Sequence, residues 1–393
     1  MAFYHRVLGL AVLGSLSLLS GCGNFFVCQK ASCPTTTTPT NSGDFVYVSN
    51  SPSGPTYISG YSLSSGTLTG ISGADISLGY VPVAMVVAPS NGYLYVASRS
   101  DATSPGVYVY TISSTGALTL ANNGNPFYTD NGISSMDISP DGNFLYTLST
   151  SNTAGVILSQ YSIDKTTGLP TVDTPTTIPT LGTNCTIVTT VLPLSQQCTV
   201  KVSPNENYVA VALGSYGFEV FPYTSSGGVT LTAQLSPSPS LQSADFSLAF
   251  DKNNYLYVAS TVALTPFSGL GGTSAPVAGT AITFPGGVTP RSVTVSSNSS
   301  YVYTANEGNG TISGYSLSGT GALTTVGTAV AGPASVSALG VDSTGDYLVA
   351  AGYSATNGLQ IFNITSTGAL TAAGTTVGTN TDLTIPTVIA LSH

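Results

Sequence analysis

The chain has 393 residues, a formal net charge of −9 and only 7 lysines and arginines. So few cations argue against a phosphate-backbone partner, and nucleic acid is excluded on that ground. Charged residues make up 6% of the chain against about 25% in an average domain, so Ser, Thr, Asn and Gly must solvate the surface, as suits an exported protein.

The N-terminus reads as an export signal. His5 and Arg6 precede an apolar run, Val7 to Leu19, that is short for a membrane span. Leu19-Ser20-Gly21-Cys22 is similar to the lipobox of bacterial lipoproteins. That resemblance implies removal of residues 1–21 and acylation of Cys22, and several acyl chains together give a lasting membrane anchor. Gly23 after the cysteine implies sorting to an outer membrane. The expected location is therefore the bacterial cell envelope, facing the periplasm or the exterior. Residues 22–43 follow as the lipidated Cys and its linker, with Pro34 to Gly43 (PTTTTPTNSG) reading as a stalk. Four cysteines remain, an even number that suggests disulfides in an exported protein. Cys28 with Cys33, and Cys185 with Cys198, are the expected pairs.

From Phe45 to the C-terminus the chain repeats one unit. Its cleanest copy, Pro290 to Gly327, holds an alternating apolar segment, a polar turn and a second alternating segment from Tyr301. A third strand, Thr311 to Leu317, and a short fourth, Ala322 to Val326, come after glycine-rich turns. Four short strands in about 46 residues make one blade of a β-propeller. Second strands begin at Phe45, Tyr93, Phe144, Tyr208, Tyr255, Tyr301 and Tyr347, which counts seven blades. The one large insertion lies between the third and fourth. The first copy lacks a leading strand, whereas Ile385 to His393 ends the chain unpartnered and is similar to the leading strand Val81 to Pro89. The expected fold is thus all-β, a seven-bladed propeller over residues 44–393, closed by the C-terminal strand joining the first blade.

Most of what repeats reads as packing. Tyr93, Tyr95, Tyr108 and Tyr110 are expected to be cross-strand residues, and the DGN at Asp141 to Asn143 a turn. Asp137 and Lys201 fall at one repeat position in adjacent blades and are expected to pair.

A different signal comes from the faces of the disk. The start of a blade's first strand and the end of its second lie on one face, which brings Arg291 beside Glu307. The same pair of positions elsewhere gives Val83 and Arg99, Asp245 and Thr261, and Ser337 and Tyr353. Arg99 and Arg291 are the only arginines after the signal, so the face gathers Arg99, Arg291, Glu307 and Asp245 into a candidate ligand site. No set of residues suggests a metal, and no cofactor motif is present.

With Pro290-Arg291, YVYTANEGNGTISGY and GALT in view, the repeat resembles the YVTN-type bacterial surface repeats. It also resembles the seven-bladed lactonase family that includes 6-phosphogluconolactonases and fungal muconate-lactonizing enzymes. The resemblance implies lactone-binding or catalytic roles for Arg291 and Glu307, with Asp245 as a further acid/base. Where the family places a histidine, this chain has Ser243, Ala244 and Asp245. The leading reading is an envelope binding or scaffold module that takes a glycan, peptide or protein partner on one face, and the alternative is a lactonase-like hydrolase acting on a sugar lactone. A neighbouring arginine is expected to depress the Glu307 pKa and weaken it as a base.

Overall fold

The computed structural model describes residues 44–50, 56–98, 102, 104–127, 132–151, 155–172, 176–177, 198–214, 217–229, 245–270, 275–354, 356–378 and 387–392. These lie within one compact unit, Thr38–His393. Residues 1–43, with Cys22, Cys28, Cys33 and the stalk, fall outside the described residues, as do Arg99 and Cys185.

Seven antiparallel sheets form the seven blades, each with its innermost strand at the channel. Six blades take their strands in simple up-and-down order. The remaining sheet is built from both ends of the chain: Ile389–Leu391 pairs antiparallel with Asp44–Asn50, with Val46 opposite Leu391 and Val48 opposite Ile389. The expected closure is thereby found, and it leaves the inner edge of the first blade paired.

Seven apolar clusters hold the ring, one between each pair of neighbouring blades. The last, with Val46, Val48, Val349, Ile361 and Leu391, joins the seventh blade to the first. Second strands therefore carry neighbours on both faces as well as both edges. In Tyr301–Asn306, the five residues from Val302 to Asn306 are all buried, which is why YVYTA runs almost continuously apolar.

Two side-chain devices explain the rest of the repeat. At the turn after the inner strand of the third to seventh blades, a Ser or Asp accepts an N–H at the start of the second strand. Phe144 donates to Ser139 at 2.9 Å, Tyr208 to Ser203 at 2.9 Å, Tyr255 to Asp251 at 2.9 Å, Tyr301 to Ser296 at 3.0 Å and Tyr347 to Asp342 at 2.8 Å. The DGN segment is such a turn: Asp141 accepts from the Ser139 hydroxyl at 2.6 Å and from Asn143 N–H at 2.9 Å.

The second device ties blades together. Tyr47, Tyr95 and Tyr303 donate their hydroxyls to the carbonyls of Gly116, Gly168 and Gly368, at 2.8, 2.8 and 3.0 Å. Each glycine belongs to the turn before the fourth strand of the next blade and has a left-handed φ, +82°, +70° and +81°. Tyr301 lies against Gly368, where an added Cβ would stand 2.2 Å from its ring. The YxY and GAL segments of the repeat are thus the two halves of an inter-blade latch, in keeping with the packing role expected of Tyr95.

Candidate functional site

The innermost strands enclose a central channel of about 750 Å³, lined from every blade. Arg291 reaches it from the sixth blade through a local irregularity. Pro290 pairs with Asn306 and Ser292 with Ala305, leaving Arg291 as the extra residue of a bulge. A bulge re-aims its side chain relative to the regular pleat. Here it brings Arg291 Nε to 3.2 Å from Glu307 Oε2.

Glu307 is held by its own strand end. Its N–H donates to the Thr289 carbonyl at 2.9 Å. Asn306 beside it is buried, donating to Thr311 Oγ1 at 3.1 Å and to Ser313 Oγ at 2.9 Å. The turn Gly308 to Gly310 is thereby fixed from both strands. A Cβ on Gly308 would meet Thr289 Oγ1 at 2.2 Å, so this close passage requires glycine.

The pair is sequestered: the Arg291 side chain is 11% exposed and that of Glu307 6%. Burial pushes the Glu307 carboxyl above the usual carboxylate range, and the attraction of Arg291 only partly offsets it. The expectation of a depressed pKa is corrected here, because desolvation by burial outweighs the guanidinium. A raised carboxyl is a better proton acceptor in its ionised form than an ordinary glutamate.

Tyr353 completes the cluster. It holds in the seventh blade the position that Glu307 holds in the sixth, and its ring lines the channel. Both Arg291 and Glu307 act electrostatically on its phenol, whose pKa is raised mainly by burial. Its hydroxyl and Glu307 Oε1 are buried with no well-formed hydrogen bond among the described residues. Ser337, nearby, donates instead to the Thr387 carbonyl at 3.3 Å. Sequence reasoning placed Tyr353 on this face but gave it no role; its repeat position, shared with Glu307 and Arg99, was the available signal.

The other expected residues fare differently. Asp245 pairs with Ser260, which matches it to Pro290, so Phe246 takes the bulge position that Arg291 occupies. The sequence alignment of that blade was one residue out, and the Asp245 side chain lies outside the described residues. Arg99 does too, although Val83, expected beside it, is the bulge residue of the second blade. Asp137 and Lys201 do pair across blades, at 3.4 Å. Cys198 is buried between the third and fourth blades. Among the described residues no group of His, Cys, Asp and Glu could hold a metal ion.

Comparison with known proteins agrees with the fold. Residues 278–384, which include Arg291, Glu307 and Tyr353, match the family described as "Lactonase, 7-bladed beta-propeller". A candidate 6-phosphogluconolactonase of Bacteroides fragilis is 15% identical, with a TM-score of 0.68 over 92% of this chain and 100% of its own. A periplasmic gluconolactonase of Pseudomonas aeruginosa is 15% identical, with a TM-score of 0.63 over 89% of this chain and 99% of its own. A functionally unknown protein of Desulfotomaculum acetoxidans is 16% identical, with a TM-score of 0.63 over 88% and 99%. At such identities the likeness establishes the fold alone. Among curated proteins none matches the chain. The chain is a seven-bladed β-propeller whose residues 278–384 carry the lactonase-family signature.

Proposed function

We propose that the channel wall at Arg291 is a lactone site and that the protein is a lactonase-type hydrolase. The observation that carries this reading is the buried Arg291–Glu307 pair on a bulge beside the channel, inside the segment matched to the lactonase family. The Arg291 guanidinium polarises the lactone carbonyl and stabilises the oxyanion as water adds. Glu307, with its raised carboxyl, takes the proton from that water and returns it to the ring oxygen as the carbon–oxygen bond opens, giving a hydroxy acid. The Tyr353 phenol, held protonated by burial, supplies a further donor.

The test is lactone turnover by the purified protein on a panel that includes gluconolactones, with Arg291→Ala alongside. Turnover above the spontaneous rate, lost in the variant, supports the assignment. No turnover from a folded protein overturns it.

One observation favours a second reading, that of a binding module for a glycan, peptide or protein. Arg291 lines the channel while Glu307 stands behind it, off the channel wall. A guanidinium without a base on the wall binds an anionic group without turning it over. Hydroxy-acid binding in the absence of turnover would mark this alternative.

The envelope location belongs to the same proposal. The lipobox-like Leu19 to Cys22 supports a lipid anchor at Cys22, and Gly23 after it supports outer-membrane sorting. The Pseudomonas aeruginosa neighbour, described as periplasmic, is consistent with that compartment. Membrane retention should vanish in Cys22→Ser; retention of an unacylated product would overturn the anchor.

A further inference from the structure

The channel wall divides into two sectors. The inner strands of the seventh, first and second blades present Leu339, Ile389, Leu391, Val83 and Val86. Those of the third to sixth add polar groups, Ser135, Asp137, Lys201, Ser247 and Ser292, among apolar residues such as Ala249 and Val293. Glycine enlarges the apolar sector: a Cβ on Gly340 would stand 2.6 Å from Leu391 Cδ1, so its absence lets that side chain spread over the seventh blade.

The polar sector is already engaged in holding the ring. Ser135 Oγ accepts from Val200 N–H at 3.1 Å, Asp137 from Val202 N–H at 2.8 Å, Ser247 from Val293 N–H at 3.1 Å and Ser292 from Leu339 N–H at 3.3 Å. Each bond joins the inner strand of one blade to that of the next. The channel's cations are engaged likewise. Lys201 pairs with Asp137, Arg291 with Glu307, and Lys252 donates to the Asn298 carbonyl at 3.2 Å. Among the described residues a phosphate dianion finds no cluster of cations, and a polyhydroxylated ring meets acceptors already in use. Arg291, on the sixth blade, stands beside Ser337 and Tyr353 of the seventh, and the apolar wall begins further along that strand, at Leu339.

We propose, resting on the lactone reading above, that the ligand is an unphosphorylated lactone carrying an alkyl chain. Its carbonyl lies on Arg291 and its chain along the wall of Leu339, Ile389 and Val86. Water opens the ring carbon–oxygen bond to give the alkyl-substituted hydroxy acid, with no other reactant.

The test measures kcat/KM for δ-lactones with alkyl substituents of one to five carbons, beside glucono-δ-lactone and its 6-phosphate. A gain of about two- to fourfold per methylene is expected as the chain enters the apolar sector. Val86→Thr and Ile389→Thr, which keep the branched shape, should each flatten that slope. A flat series, or preference for either gluconolactone, overturns the inference while leaving lactonase activity in place. Where no lactone is turned over, the catalytic reading falls, and calorimetry with the ring-opened alkyl hydroxy acids decides this inference alone. Affinity that rises with chain length then supports it, and affinity independent of chain length or no binding overturns it.

Discussion

The N–H of Phe45 donates to Ser392 Oγ at 2.7 Å across 347 residues of sequence. It is the same bond that Ser296 makes with Tyr301 at 3.0 Å inside a continuous hairpin. The ring is thus closed with the hairpin chemistry of the other blades, although no chain links these two strands. Both residues are buried, so removing the hydroxyl leaves an N–H without its acceptor. Ser392→Ala should cost about 1–3 kcal/mol in chemical denaturation. Hydrogen exchange should show lost protection in Asp44–Asn50 and Ile389–Leu391 first. Uniform loss over all blades would argue that closure is not the weak seam.

The Tyr303 hydroxyl to the Gly368 carbonyl, 3.0 Å, links the sixth blade to the seventh. Tyr303→Phe keeps the buried ring and removes the bond, which should cost about 1–3 kcal/mol through the unpaired carbonyl. Gly368→Ala should cost more, because its φ of +81° and the Tyr301 ring 2.2 Å from an added Cβ both oppose it. Thermal unfolding of the two variants gives the order; the reverse order would sink the latch as described.

Cys198 is buried against Val200, Val209 and Leu213 between the third and fourth blades. We expect it to be bridged to Cys185, which would pin the long insertion and contribute about 3 kcal/mol by loop closure. Peptide mapping without reduction should recover 185 and 198 in one linked peptide. Two alkylated thiols would refute the pairing.

The blade count and strand starts were legible because each second strand is an apolar run opened by an aromatic residue. Six of the seven begin within one residue of Tyr93, Phe144, Tyr208, Tyr255, Tyr301 and Tyr347, and the first begins at Asp44, beside Phe45. The Arg291–Glu307 approach was legible from antiparallel order alone. What escaped was set by turn length, bulges and burial. Counting residues cannot see that the turn between Phe250 and Leu256 is one residue shorter than that between Val295 and Val302, so Asp245 was aligned one place wrong. The fourth strand of the sixth blade runs on to Ala331, past the expected Val326. An irregularity opposite Ile312 and Gly314 lets pairing resume beyond Gly327.

Arg291→Lys tests whether geometry or charge matters at the bulge. Lysine keeps the cation but loses the planar fork that holds Glu307 through Nε while presenting its other nitrogens elsewhere. Activity should fall about 10-fold or more in kcat/KM, and in Arg291→Ala about 100-fold or more. Equal, full activity in the lysine variant would reduce Arg291 to a point charge.

Glu307 supplies the pH dependence. Its folded pKa lies above the unfolded value because burial outweighs Arg291. The folded state therefore holds the proton to higher pH than the unfolded chain does. The stability from this site is full below the unfolded value, near 4.3, and declines as pH rises through the folded one. Activity runs the other way, since only the carboxylate accepts a proton from water. The acid limb of kcat/KM should therefore have its midpoint above the ordinary carboxylate range and disappear with the activity in Glu307→Gln. Stability measured across the same window should lose its downward slope in that variant. An acid limb at or below about 4.3, or one that persists in Glu307→Gln, would place the base elsewhere and leave Glu307 only the task of orienting Arg291.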